Sequence, residues 1–354
     1  MIDGNDLRAE MMESTRSELT VEQLLHRLIS DAETPGIQHL SALSDLSLRE
    51  AQQVRDLWSS IPVERRRIVI NELVQTALDE LDLHLGRLLR IALNDADAQV
   101  RAAAVAGLWE EVEGDLVGDF VQMLYNDPDV SVRAAAAKNL GNYILAGELD
   151  ELEASLAMRA ENALLDMVES PDEPLPVRCS ALESIAYSGE VGVRQLIEDA
   201  YYSPDEEMRV SSLVAMGRSA DIRWRGLLRA ELQNPEAAMR AQAAIACGEL
   251  EATAARDELI ALLLDPDAEV RLAAIFALGR IGGQEAVEAV ETLAAEGNPD
   301  EVEAAQTALE EMAFYAERDD IALFDESLDD TDEWDADFWD PWYDADDADL
   351  GSYE

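Results

Sequence analysis

The chain has 354 residues, 48% of them hydrophobic, with 77 acids against 26 Lys plus Arg and a formal net charge of -51. That balance argues against nucleic acid and against an anionic membrane surface, both of which are held by cations, and favours basic protein surfaces, cationic segments or divalent ions; it also serves solubility. No apolar run approaches the roughly 18 residues of a membrane span, and Met1-Ile2-Asp3-Gly4-Asn5-Asp6 lacks the regions of a secretory leader, so a cytoplasmic location is expected.

Residues 1–19 are mostly polar, with Met11-Met12 as an apolar pair, and are expected to form a flexible N-terminal arm. Helical periodicity begins at Thr20, a suitable N-cap, with Val21, Leu24, Leu25, Leu28 and Ile29 on one face. Thr34-Pro35-Gly36 breaks it. A second pair follows, Ser47 to Trp58 and then a longer helix opening at Pro62 and carrying Ile68, Val69, Leu73, Val74, Ala77, Leu78 and Leu81. Residues 20–84 thus read as degenerate helical repeats capping the N-terminal end. Within them Arg65-Arg66-Arg67 is the one basic cluster, expected to be a solvated face paired with Glu64 and Glu72.

From Leu85 a pattern recurs whose fullest version is Leu263-Leu264-Asp265-Pro266-Asp267-Ala268-Glu269-Val270-Arg271 through Gly279. Aligning the Val-Arg step places Arg101, Arg133, Arg178, Arg209, Arg240 and Arg271 in register, at separations of 32, 45, 31, 31 and 31. Periods of this size describe stacked helix pairs, each burying its apolar face only against its neighbours. The fold class is therefore all-α, a solenoid over 85–318. Turns such as Asp127-Pro128-Asp129, Ser203-Pro204-Asp205 and Asn234-Pro235-Glu236 suit a corner: proline stops one helix, and the polar residues cap the next. Four residues after each Val or Met stands Ala104, Ala136, Ala181, Ser212, Ala243 or Ala274, small enough for close helix approach. Gly141, Gly217, Gly248 and Gly279 are expected to end their helices. The 45-residue spacing contains Gly147-Glu148-Leu149-Asp150-Glu151-Leu152-Glu153, which reads as an extended first helix or an added turn. After Arg271 the pattern decays, and 298 to about 318 forms the C-terminal capping unit.

The last segment, 319–354, has sixteen acids, no base and half of the six tryptophans. It is expected to be a disordered acidic-aromatic tail. Trp334, Phe338, Trp339, Trp342 and Tyr343 are its candidate partner-binding residues, because exposed aromatics cost solubility unless something covers them.

On the string proline, acid, two variable residues, Val-Arg and an alanine-rich helix ending Ala-Leu-Gly, the chain resembles the HEAT-repeat family, in particular its short bacterial form related to phycobilisome lyases. That resemblance implies a ladder in which Asp97, Asp129, Asp172, Asp205, Glu236 and Asp267 meet Arg101, Arg133, Arg178, Arg209, Arg240 and Arg271 of neighbouring repeats. It implies an architecture and leaves activity open.

Catalytic and cofactor chemistry is not found. His26, His39 and His84 are the only histidines and none precedes a glutamate, which counts against the histidine-glutamate iron sites of HEAT-repeat hydroxylases and against zinc. Cys247 occupies a core position, and Cys179 stands in a different place in its own helix. Trp109 and Trp224, inside the array, are expected to pack between units. No catalytic, cofactor or metal residue is assigned. The expectation is a non-enzymatic interaction scaffold whose solenoid surface and tail recognise a protein partner with a basic, apolar groove. The alternatives are a bilin lyase or chromophore-handling protein, and an acidic nucleic-acid mimic that captures DNA-binding proteins.

Overall fold

The computed structural model describes residues 19–31, 34–79 and 83–321. The expected arm falls outside these residues except for Leu19, and the expected tail except for 319–321. Trp334, Phe338, Trp339, Trp342 and Tyr343 all lie outside them.

The described residues form eighteen helices and no strands. The N-terminal region holds α1 (Val21–Ser30), the short α2 (Ile37–Leu40), α3 (Leu48–Leu57) and α4 (Val63–Asp79). Seven helix pairs follow: α5 (Gly86–Ala92) with α6 (Ala98–Gly107), α7 (Leu116–Asn126) with α8 (Val130–Glu148), and α9 (Ala154–Glu169) with α10 (Leu175–Ile185). Next come α11 (Val191–Tyr201) with α12 (Glu206–Arg218), and α13 (Arg225–Glu231) with α14 (Ala237–Glu249). The last are α15 (Arg256–Leu262) with α16 (Ala268–Ile281), and α17 (Gln284–Glu296) with α18 (Pro299–Ile321). The terminal helix thus runs three residues past the expected boundary at 318.

Local chemistry accounts for the helix starts. Thr20 Oγ1 accepts from the Gln23 amide while the Gln23 side chain accepts from the Thr20 amide, a reciprocal cap that Ser47 and Glu50 repeat at α3. On α1 this fixes a face whose Val21, Leu24, Leu25 and Leu28 are buried, each leucine contributing about 1.5–3 kcal/mol. In the array, the residue six before each arginine closes the corner by accepting the amide two positions on: Asp127 from Asp129, Asn234 from Glu236, and Asp265 from Asp267. The second acid then caps the following helix. Asp129 accepts from the Ser131 amide, and Asp267 from the amides of Glu269 and Val270.

The second helices of successive pairs pack on one another in a row, α4 on α6, α6 on α8 and onward to α18. Ala104, Ala136, Ala181, Ser212, Ala243 and Ala274 are fully buried in that row. The register glycines serve the same close approach rather than helix termination, which corrects the sequence reading. Gly141, Gly217, Gly248 and Gly279 all lie within helices. A Cβ on Gly248 would sit 2.8 Å from the Ala277 Cα, and one on Gly279 3.0 Å from the Ala308 Cβ. Termination comes later, where Ala220, Glu251 and Gly282 take φ of 52°, 50° and 65°. Each is eleven residues beyond its arginine, so the corner belongs to a register position rather than to glycine.

The long unit has the extended first helix expected of it, the 16-residue α9 against 11 in α7 and α11, and further length lies in the preceding second helix α8, 19 residues against 13 in α12. The two pack where Gly147 meets Ala157, a hypothetical Cβ there lying 2.4 Å from the Ala157 Cβ.

Candidate functional site

The six register arginines sit at the starts of the second helices, and most bond in two directions. One guanidinium nitrogen donates back to the carbonyls of the arginine's own corner: Arg101 to Asp95 at 2.8 Å, Arg240 to Asn234 at 2.8 Å, Arg271 to Asp265 at 2.8 Å. The others reach forward to a carboxylate of the next unit: Arg101 to Asp127 at 2.8 Å, Arg133 to Glu173 at 2.8 Å, Arg240 to Asp265 at 2.9 Å, and Arg271 to Glu301 at 2.7 Å. A ladder therefore crosses the units, but through different acids from those expected. Asp129 and Asp267 are occupied as helix caps, and the rungs run through Asp127 and Asp265 two residues earlier. Glu173 takes the place assigned to Asp172, which is exposed. Glu236 does meet Arg209, at 3.4 Å. Asp97 meets Arg67, one unit upstream of its assigned place, with the Arg67 Nε donating at 2.9 Å. Arg178 finds no carboxylate within ion-pair distance among the described residues and instead donates from Nε to the Val168 carbonyl at 3.4 Å. Ser203 occupies the position where its rung acid would stand, and Asp205 pairs with no arginine.

These bonds set the titration of the acids. Arg67 holds the Asp97 carboxyl down at about 2, Arg240 lowers Asp265, and Arg271 lowers Glu301.

The basic cluster belongs to the same system and is not a solvated face paired with Glu64 and Glu72. Arg65 donates to the carbonyls of Leu28 and Asp31. Arg66 pairs at 3.0 Å with Asp95, their side chains only 10% and 1% exposed, and Asp95 also accepts from the Trp58 indole at 2.6 Å. All three arginines are committed to packing α4 against its neighbours.

A second row lies at the other end of the helices. Tyr187, Arg218, Glu249, Arg280 and Glu311 are each 31 residues apart. Arg218 lies over the Tyr187 ring at 5.6 Å and donates to the Glu183 carbonyl at 3.0 Å, Glu249 is placed to feel both Arg218 and Arg280, and Arg280 pairs with Glu311 at 3.3 Å. Sequence reasoning missed this row, although the register that aligns the first ladder also aligns it.

Between the two rows runs the outward face of the second helices. Across α12, α14 and α16 it carries Val210 and Val214, Ala241 and Ile245, and Leu272 and Phe276, again 31 residues apart. Five are partly exposed, and Phe276 is 42% exposed. A row of apolar side chains framed by arginine-carboxylate pairs is an arrangement suited to contact with another apolar surface.

The remaining candidates divide. Trp224 is 4% exposed and buried as expected, whereas Trp109 is 48% exposed and does not fill an inter-unit space. Cys179 and Cys247 are free and buried, and burial pushes the Cys247 thiol up to about 12, leaving it an inert core residue. No cluster of three or more metal-ligating side chains occurs among the described residues, and no described helix is long and apolar enough to cross a membrane.

This stacking defines the molecule as an α-solenoid. Residues 86–162 and 226–310 match the family model for HEAT repeats, and the chain carries HEAT repeats over those segments. No protein of curated function matches the sequence. Among solved structures, the chain is similar to the complex of CpcE and CpcF of phycocyanin lyase from Nostoc, at 18% identity over 64% of this chain and 94% of that one, with a TM-score of 0.43. It is also similar to human deoxyhypusine hydroxylase in complex with glycerol, at 16% identity over 83% and 96% of the two chains, TM-score 0.34. For importin beta the identity is 16% over 82% of this chain and 46% of that one, TM-score 0.42.

Proposed function

We propose that the protein is a non-enzymatic scaffold that binds another protein, using the outward face of α12, α14 and α16 together with the acidic-aromatic segment after Ile321. The observation that carries this reading is the row from Val210 to Phe276. These residues stand at register positions that leave part of each side chain exposed, Phe276 most of all, although Val210, Ala241, Ile245 and Leu272 also pack against the core. The arginines flanking the row are spent on their own ladders, so they neutralise little of the surrounding charge. The partner that suits such a surface is basic with apolar pockets: its cations would be steered by the excess of acids, and its pockets would take Phe276 and the tail aromatics.

Affinity capture with mass spectrometry tests this, using three baits: the whole chain, a chain ending at Ile321, and Ile245→Ser/Phe276→Ser. The whole chain is expected to retain a basic protein that both altered baits lose. Identical captures by all three would reject the reading.

A further inference from the structure

The C-terminal ends of the second helices form one edge of the array, and at α8 that edge has a step. In α12, α14 and α16 the chain turns eleven residues past the register arginine, at Ala220, Glu251 and Gly282. Helix α8 runs on to Glu148, fifteen past Arg133, while its neighbours α6 and α10 stop at Gly107 and Ile185, six and seven past theirs. The last turns of α8 therefore stand beside a loop instead of a helix. The Asn142 side chain donates to the Trp109 carbonyl at 3.1 Å and the Tyr143 hydroxyl to the Glu111 carbonyl at 2.7 Å, which fixes that loop against α8. Leu145 and Leu149 follow Asn142 on the same face, at i+3 and i+7. They are 38% and 59% exposed, and Trp109 is 48% exposed. Trp109 stands at the register position that holds Gly141, Gly217, Gly248 and Gly279 elsewhere, so the close approach of the helices does not ask for its size. Around the step, the carboxylates of Glu110, Asp150 and Glu151 are exposed and meet no donor or cation among the described residues. Glu111, Glu113 and Asp115, further along the loop, are instead tied to Arg90. The one lysine of the chain, Lys138, lies a turn back from Asn142 and two turns from Leu145.

We propose that this step docks a basic amphipathic helix of a partner protein, whose apolar residues cover Trp109, Leu145 and Leu149 while its lysines or arginines meet Glu110, Asp150 and Glu151. The two leucines lie on one helix face at helical spacing, which a second helix matches by interdigitation. The unpaired carboxylates select a cationic rim on that helix. The same chemistry disfavours a second copy of this chain, with its net charge of -51, and the chain's own acidic segment after Ile321. This surface is separate from the row in α12, α14 and α16 and does not depend on it.

The test uses the full chain with ¹⁵N-labelled tryptophan side chains, the Trp109 resonance being assigned by its loss in Trp109→Phe. The probe is a synthetic peptide of about four helical turns, with leucines at helical spacing on one face and lysines on its flanks. A control peptide of the same composition scatters the leucines around the helix. The Trp109 indole resonance should move saturably with the probe. Binding should weaken about tenfold for the control peptide and for Leu149→Ser, because each loses apolar burial. Leu149 is exposed, so its replacement leaves the core intact. Ile245→Ser/Phe276→Ser should leave the response unchanged, which separates this surface from the α12, α14 and α16 face. No saturable shift, an equal response to the control peptide, a response unchanged in Leu149→Ser, or one lost in Ile245→Ser/Phe276→Ser would overturn the proposal. A Trp109 shift without peptide, on removing the residues after Ile321 or on diluting the chain, would give the step to that segment or to a second copy and overturn the partner helix.

Discussion

The stretch from Asn234 to Glu301 and the stretch from Asp127 to Ser203 contain the same two-helix unit, yet their cross-unit bonds differ. In the first, Arg240 and Arg271 each hold their own corner and a carboxylate of the next unit, at 2.9 and 2.7 Å. In the second, Arg133 takes Glu173, one position away from the usual acid, and Arg178 has no carboxylate. Unit length does not explain the vacancy, because Arg178 and Arg209 are 31 apart like the later pairs. Side-chain reach does. Where the first corner residue is neutral, Arg209 still reaches Glu236, at the longer distance of 3.4 Å; the corresponding residue for Arg178 is Asp205, one methylene shorter, and no pair forms. The ladder is therefore set by residue type at one corner position, and the fold tolerates a missing rung because burial of the alanine row persists through it.

If burial and the committed ladder ends carry the stability, the largest effect should come where both coincide. Asp95→Ala leaves the Arg66 guanidinium and the Trp58 indole buried and unpaired, and should cost about 3–5 kcal/mol in chemical denaturation. A cost below that of an exposed pair would show that the N-terminal cap is not tied through Asp95. Next, Gly248→Val forces side-chain atoms against the Ala277 backbone and should cost about 1–3 kcal/mol. Gly226→Ala, with nothing within 4 Å of its Cβ, should be neutral or add up to about 1 kcal/mol. Equal effects of the two would mean that the second helices do not approach as closely as described.

Acid should dissolve the rungs next. Folded-state pKa values of Asp97, Asp265 and Glu301 are lowered, so their stabilisation is complete above the ordinary carboxylate range and is lost as pH falls. For Asp97 that window runs from 3.8 down to about 2. The melting temperature should drop through this interval, and Asp97→Asn should flatten part of the drop. An unchanged profile in the variant would remove the Arg67 pair as its cause.

Much of this was legible in the sequence, for reasons particular to each residue. The Val-Arg step revealed the period because valine must be buried and arginine must bond at every repeat. Which corner acid forms the rung was not legible: Asp127 and Asp129 are the same residue two positions apart, and only the path of the chain shows that one caps while the other reaches an arginine. Arg65-Arg66-Arg67 read as a surface because neighbouring glutamates were closer in sequence than Asp95, whose partnership depends on stacking. The glycine register was visible, but a helix stop and a helix contact ask for the same residue. The row from Tyr187 to Glu311 escaped notice because it mixes aromatic, acid and base, although its spacing is regular. Trp224 was expected in the core and lies there, but Trp109 shared that expectation and is exposed, because α6 ends before it.

A small expected effect is the most direct test of whether register arginines and corner acids are coupled across units. Ser203→Asp, compared in the parent and in Arg178→Gln by denaturant unfolding, closes the vacant rung. The account expects a gain of about 0.5–1 kcal/mol in the parent that largely disappears when Arg178 is replaced. The same gain in both backgrounds would assign the effect to the corner turn and the α12 dipole alone, and would contradict a ladder running through Arg178.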